Sequence, residues 1–183
     1  PELRSRKSTW LDPKRSTTRP PAPEPQPGSI RVMTEVDAER VQTDVRIDFP
    51  LAEVYGDDHA VLLVMADMLN FGVGRVRMEL GASYGTYARV DTDRPRMSIG
   101  GAIDSARAGE GLVAIRNAID ELRTREDFER RFAFARRNVL QQMINAQGDP
   151  KAFANTLARA VRNGRRYEYF RELARRVATL TPA

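Results

Sequence analysis

The chain has 183 residues, no cysteine and one histidine, His59. Disulfides, thiolate metal sites and cysteine nucleophiles are excluded, and so is any zinc site that needs two histidines from this chain. The remaining chemistry must come from carboxylates, hydroxyls, phenols and a cation set of 27 Arg against 3 Lys. Asp57-Asp58-His59 is a run of possible metal ligands. Consecutive residues at a helix start point in different directions, however, and aspartate before an apolar run reads as a helix N-cap. Asp91 and Asp93 fall in Asp91-Thr92-Asp93-Arg94-Pro95, a string of turn formers. Gly72-Val73-Gly74 follows a helical pattern and has no lysine or serine at phosphate-loop spacing, so it reads as a sharp turn between two helical stretches. Arg159, Arg162, Arg165, Arg166, Arg175 and Arg176, interleaved with Tyr167, Tyr169 and Phe170, have the composition of a phosphate-binding, base-stacking surface. Phe170 nevertheless shares a stripe with Leu173 and Val177 and so reads as core. Arg77 and Tyr84 are different in kind. Seven residues apart, one belongs to the last turn of a helix and the other to the start of a strand, with Ser83 and Gly85 flanking the phenol. Two donors brought to one sheet edge suit a peptide carbonyl whose oxygen gains negative charge. On residue type alone they also fit a surface cation and a half-buried strand aromatic.

The elements that must position these residues follow from periodicity. Seven of the 11 prolines lie in residues 1–28, which therefore read as an extended linker or strap, with Trp10 and Leu11 its only large apolar residues. Residues 29–183 read as one α+β domain. Ile30, Val32, Thr34 and Val36 alternate with polar residues, as do Val41, Thr43, Val45, Ile47 and Phe49. Two strands with one buried face are expected, joined as a hairpin through residues 37–40. A helix follows Asp57-Asp58 to about Asn70, apolar on nearly every face, then a separate short helix over Arg75–Leu80. Strands are expected over Ser83–Val90 and Arg96–Ile103. Four helices complete the chain. The first carries the stripe Leu112, Ile115, Ile119 and Leu122. The second starts with Thr124 as its cap and carries Phe128, Phe132, Ala135, Val139 and Met143. Phe153, Leu157, Ala160 and Val161 mark the third, closed by Gly164, and Tyr167–Ala178 forms the fourth. This order predicts a two-layer α+β sandwich, a mostly antiparallel sheet with helices packed on one face. The net charge of +5 is unevenly placed: residues 1–28 contribute +3, residues 29–149 contribute −4, and residues 150–183 contribute +6. The longest apolar run, Ala60–Met68, is broken by Asp67 and is too short to span a bilayer. No secretory signal is expected within the chain, and a proline at position 1 suggests an excised or processed segment.

Arg77-x-Glu79-Leu80-Gly81-x-Ser83-Tyr84-Gly85 resembles the R-x-x-L-G-x-x-Y signature in the later domains of pitrilysin/insulinase-type zinc metalloproteases. The resemblance extends over about residues 20–181. It includes Val41-Gln42-Thr43 opening a strand, a helix ending in Met68-Leu69-Asn70, the Thr124–Asp127 helix start and the tail Val177-Ala178-Thr179-Leu180-Thr181. It implies tandem α+β domains that close like a clamshell around a peptide, with zinc on H-x-x-E-H in an early domain. A later, non-catalytic domain supplies an arginine and a tyrosine to the substrate. Arg77 would then hold a substrate carbonyl, Tyr84 would donate to the carbonyl under attack, and Ser83 and Gly85 would line the same subsite. Extended substrate would pair with the Ser83–Val90 strand or its neighbour. H-x-x-E-H is absent, so this chain is expected to bind no metal and to be inactive alone, zinc belonging to a companion catalytic domain of the same or another chain. Met78 stands where the family carries a glutamate. The family's first strand and helix are not found before residue 20, with Trp10 reading as a remnant of that helix. An exposed sheet edge is then expected to favour homo-oligomers. The expected parent is a bacterial zinc metalloendopeptidase of the periplasm or cell envelope, or else of the cytoplasm, acting on peptides without membrane or nucleic-acid partners. The alternatives are a non-peptidase structural or partner subunit of the same family and a basic nucleic-acid-binding module.

Overall fold

The computed structural model describes residues 41–80, 83–124 and 126–182. The Pro-rich segment 1–28, the strand read at residues 30–36 and the hairpin link lie outside the described residues. Strand β1 spans Gln42–Pro50. Its alternation turns Val45 and Ile47 toward the core, where they are partly buried. The ends of the same face are not covered: Val41 is 77% and Phe49 41% exposed, and Thr43 is exposed, its Oγ1 donating to Ser105 Oγ at 3.0 Å. Only the middle of the five-residue apolar face lies under the helices. Strands β2 (Ser83–Asp91) and β3 (Arg96–Asp104) form a hairpin. The Asp91 carboxylate closes its turn by accepting the backbone N–H of Asp93 and Arg94 at 3.0 and 3.1 Å. The sheet is antiparallel in the order β1-β3-β2. As the middle strand, β3 supplies Met97, Ile99 and Ile103, each at most 3% exposed.

Helix α1 runs without interruption over His59–Leu80, 22 residues. The break expected at Gly72-Val73-Gly74 is absent, and Arg75–Leu80 is its last part. Each glycine in a helix interior costs about 1 kcal/mol relative to alanine, but packing outweighs that cost. Val73 between the two is fully buried, and a Cβ on Gly72 would sit 3.4 Å from that of Ala118, so the small residue suits a close helix crossing. α1 is apolar on several faces because it packs on two sides, although Val61, Phe71 and Met78 remain exposed. Leu62, Ala66, Leu69 and Val73 pack against the sheet and against Ile115 of α2 (Ala108–Thr124). Ala60, Val64 and Met68 pack against Phe132, Ala135 and Val139 of α3 (Phe128–Gly148) and Leu173 and Val177 of α5 (Glu168–Thr179). The result is an α+β sandwich with its described helices layered on one face of the sheet.

Helix boundaries follow local chemistry with two differences from expectation. Thr124 ends α2 and does not cap α3; the N-cap is Asp127. Leu112 is 45% exposed, so the α2 core stripe effectively starts at Ile115. Helix α4 (Pro150–Arg162) opens with Asp149 accepting from the N–H of Lys151 and Ala152 and with proline in the first turn. It closes at Gly164, whose φ of 71° lets Arg165 N–H reach Ala160 O at 2.9 Å and Gly164 N–H reach Val161 O at 3.0 Å. That turn carries the chain into α5.

Candidate functional site

The junction singled out by residue type lies where α1 hands over to β2. Arg77 occupies the last turn of α1 and is exposed, with no ion-pair partner among the described residues. A cation there also complements the negative end of the helix dipole. Ser83 begins β2, opposite Ile103 of β3, while Gly85 lies opposite Ala102. Two steps on β2 therefore match one on β3, and Tyr84 is the extra residue of a bulge. Bulges bend a strand locally and re-aim the residue they contain, which is why they gather beside binding sites. The side chains of Ser83 and Tyr84 are outside the described residues. Gly85 is exposed, and β3 approaches so closely that a Cβ on Gly101 would run into the Gly85 carbonyl. Ser83, Tyr84 and Gly85 thus open β2, and Arg77 lies in the last turn of the helix that precedes it in sequence.

The edge of β2 is shaped by α1. Asn70 donates its Nδ2 to Ala88 O and accepts Ala88 N–H at its Oδ1, both at 2.6 Å. Its amide thus behaves as one residue of a neighbouring strand. Thr86 Oγ1 also donates to Val73 O at 2.7 Å. At the far end of β2 from the junction, Arg96 bridges Asp48 at 2.9 Å and Asp91 at 3.2 Å. Fully buried Ser98 donates to Asp48 at 2.6 Å. Both partners of Arg96 are on strands, and this cluster ties β1, β2 and β3 together.

The other sequence candidates are dispersed. Asp57 is exposed and pairs with Arg176 at 3.0 Å, whereas His59 is buried, so the two do not share a site. His59 Nδ1 lies 2.7 Å from the Tyr169 hydroxyl, and the Tyr55 ring meets the imidazole edge-on at 5.2 Å. Burial, then the charge of nearby Arg165, lowers the His59 pKa to about 4. The neutral imidazole and the Tyr169 hydroxyl share one hydrogen bond whose donor is set by the imidazole tautomer, and burial pushes that phenol up to about 12. Neither group is a free acid or base at neutral pH. Among the described residues no group of three or more His, Cys, Asp or Glu could hold a metal ion. With one histidine in the chain, the residues present cannot supply an H-x-x-E-H zinc site. No helix among the described residues is long and apolar enough to cross a membrane.

Residue types did not reveal the His59–Tyr169 pair, which joins residues 110 apart in sequence, nor an apolar groove between α1 and α3. Phe134 was the available signal for the groove: it falls outside the stripe Phe128, Phe132, Ala135 and Val139, and it is 54% exposed.

No protein-family model matches the chain, and no curated protein matches it. Among solved structures it is similar to a peptidase M16 inactive domain from Pseudomonas fluorescens. The two are 14% identical, with a TM-score of 0.60 over 76% of this chain and 35% of that one. A conserved protein from Enterococcus faecalis V583 aligns with a TM-score of 0.49 and 18% identity over 78% of this chain and 38% of that one. The chain thus spans little more than a third of the length of these solved chains. At such identity the likeness to the Pseudomonas domain is one of fold, and the α+β architecture described above is M16-like.

Proposed function

We propose that the chain is a substrate-binding, non-catalytic domain of a zinc metallopeptidase that hydrolyses peptides. The observation that carries this reading is the likeness of fold to a peptidase M16 inactive domain over three quarters of the chain. Its site is the α1–β2 junction. Arg77, exposed in the last turn of α1, holds a main-chain or terminal carbonyl of the substrate with its planar fork of donors. Tyr84, the bulge residue of β2, donates its phenol to the carbonyl under attack, where negative charge develops in the transition state. Ser83 and Gly85 line the subsite, and an extended substrate gains main-chain hydrogen bonds by pairing with β2 or its neighbour. Asn70 closes the Ala88 position of that edge to such pairing. Metal chemistry belongs to the companion catalytic domain of the same or another chain. The test is kinetic, in the complete enzyme. Arg77→Ala and Tyr84→Phe should each lower kcat/KM by roughly 10²–10³ while leaving thermal melting unchanged. Wild-type kinetics in both variants would remove the assignment.

A further inference from the structure

Helices α1 and α3 run antiparallel, with Asp67 beside Asn138 and Phe71 beside Arg131. Between them lies an open groove of about 330 Å³, lined by Asp67, Phe71, Arg130, Arg131, Phe134 and Arg137 among others. Its volume is at the lower end of the roughly 300–1,000 Å³ of ligand sites. An open trough between parallel cylinders takes side chains of a partner more readily than it encloses a cofactor. Two features give the occupant's chemistry. The first is apolar. Phe71 and Phe134 are 55% and 54% exposed, on adjacent helices, and the groove floor includes Met68 and Ala135. The second is charge. Three guanidinium groups line the groove against two carboxylates, and those carboxylates are already engaged. Asp127 accepts from Arg130 at 3.3 Å and Arg131 at 3.0 Å; Asp67 accepts from Asn138 at 2.6 Å and Gln142 at 3.2 Å. Arg131 also lies 4.8 Å over the Phe71 ring, which holds both in place. Arg137 is exposed and has no ion-pair partner among the described residues, and the Arg130 side chain is 84% exposed, so its pairing exchanges readily with a new carboxylate. The groove is locally basic although residues 29–149 as a whole are acidic.

We propose that this groove docks an acidic amphipathic helix of a partner polypeptide, its apolar side chains seated between Phe71 and Phe134 and its carboxylates on Arg130 and Arg137. This is the helix-in-groove mode, in which anchors at i, i+3, i+4 and i+7 give affinity and the flanking charges give register. None of Arg77, Ser83, Tyr84 and Gly85 lines the groove, so the proposal does not depend on their role.

The probe is a fluorescein-labelled peptide of about 15 residues with Leu at i, i+3, i+4 and i+7 and Glu at most other positions, titrated against the full 183-residue chain. A control peptide replaces every Glu with Lys. The Glu peptide should bind with a Kd on the order of 10 μM at low salt, and Phe71→Ser or Arg137→Glu should each weaken it about tenfold. The Lys peptide should not bind. Both substituted side chains are largely exposed, so thermal melts of the variants should match the parent. Equal binding of both peptides would mean unspecific apolar adhesion and would overturn the proposal. So would no binding of the Glu peptide at about 100 μM, or parental affinity in either variant.

Discussion

A neutral imidazole sealed beneath two phenol rings makes this fold sensitive to acid. His59 is 5% exposed, and its pKa falls from 6.5 to about 4 on folding. Between those values the unfolded chain binds a proton that the folded chain refuses. The stabilisation is fully present above about pH 6.5 and is lost as pH falls toward 4, amounting to about 3 kcal/mol over the window. Chemical denaturation at pH 7.5 and pH 4.5 measures it. Carboxylates titrate in the same range, so the diagnostic is the difference from His59→Gln, which should be less stable at pH 7.5 but show a shallower fall. Equal falls in both proteins would mean that His59 stays accessible to protons. Nothing in residue type announced this group, because its partner Tyr169 comes from the last helix. Arg77 was legible for the opposite reason: a cation in a helix's last turn is a local pattern, and so is its exposure. Phe71 was illegible, being one apolar residue in a helix that is apolar on several faces. Which of its faces opens to solvent depends on where α3 docks.

At the scale of elements, the type and order of the described helices and strands followed from periodicity, while the continuity of α1 did not. Two glycines cost about 2 kcal/mol together, and burying any one of Leu69, Val73 or Met68 returns roughly as much. Local propensity therefore lost to packing that only the tertiary structure supplies. The same comparison gives a stabilising variant. A Cβ on Gly74 would meet nothing within 4 Å, and its backbone is not in the left-handed region. Gly74→Ala should therefore raise stability by about 0.5–1 kcal/mol, seen as a higher urea midpoint at unchanged slope; a lower midpoint would contradict an unbroken α1. Asn70 tests the opposite sign. Its amide satisfies both backbone groups of Ala88 at 2.6 Å, and Asn70→Ala should cost about 1–3 kcal/mol. Freed of that cover, the β2 edge is open to a second strand, so the variant should also self-associate more than the parent in sedimentation runs. An unchanged midpoint would show that water replaces the amide without loss.

Over the whole molecule, the basic end of the chain folds back onto its acidic middle. Residues 150–183 carry +6 and residues 29–149 carry −4, a split that by itself suits a nucleic-acid surface as well as a self-neutralising one. In the fold, three arginines of residues 150–183 meet carboxylates of the middle segment. Arg162 of α4 reaches Asp93 in the β2–β3 turn at 2.9 Å, Arg165 lies 3.6 Å from Glu53, and Arg176 of α5 lies 3.0 Å from Asp57 before α1. Phe170 packs with Val54, Tyr55 and Ala160, so one of the three aromatics interleaved with the arginines is committed to the core and not offered to a base. Each ion pair is exposed and contributes little to stability, yet together they place carboxylates among the guanidinium groups that a phosphate backbone would need to itself. A labelled single strand or duplex should therefore show no saturable binding near 50 mM salt. Micromolar affinity that collapses steeply between about 50 and 200 mM salt would instead mean that six or more arginines reach phosphates at once. The pairs with Asp93, Glu53 and Asp57 would then be broken in the bound state, and the peptide-binding assignment would have to yield to the basic-module alternative.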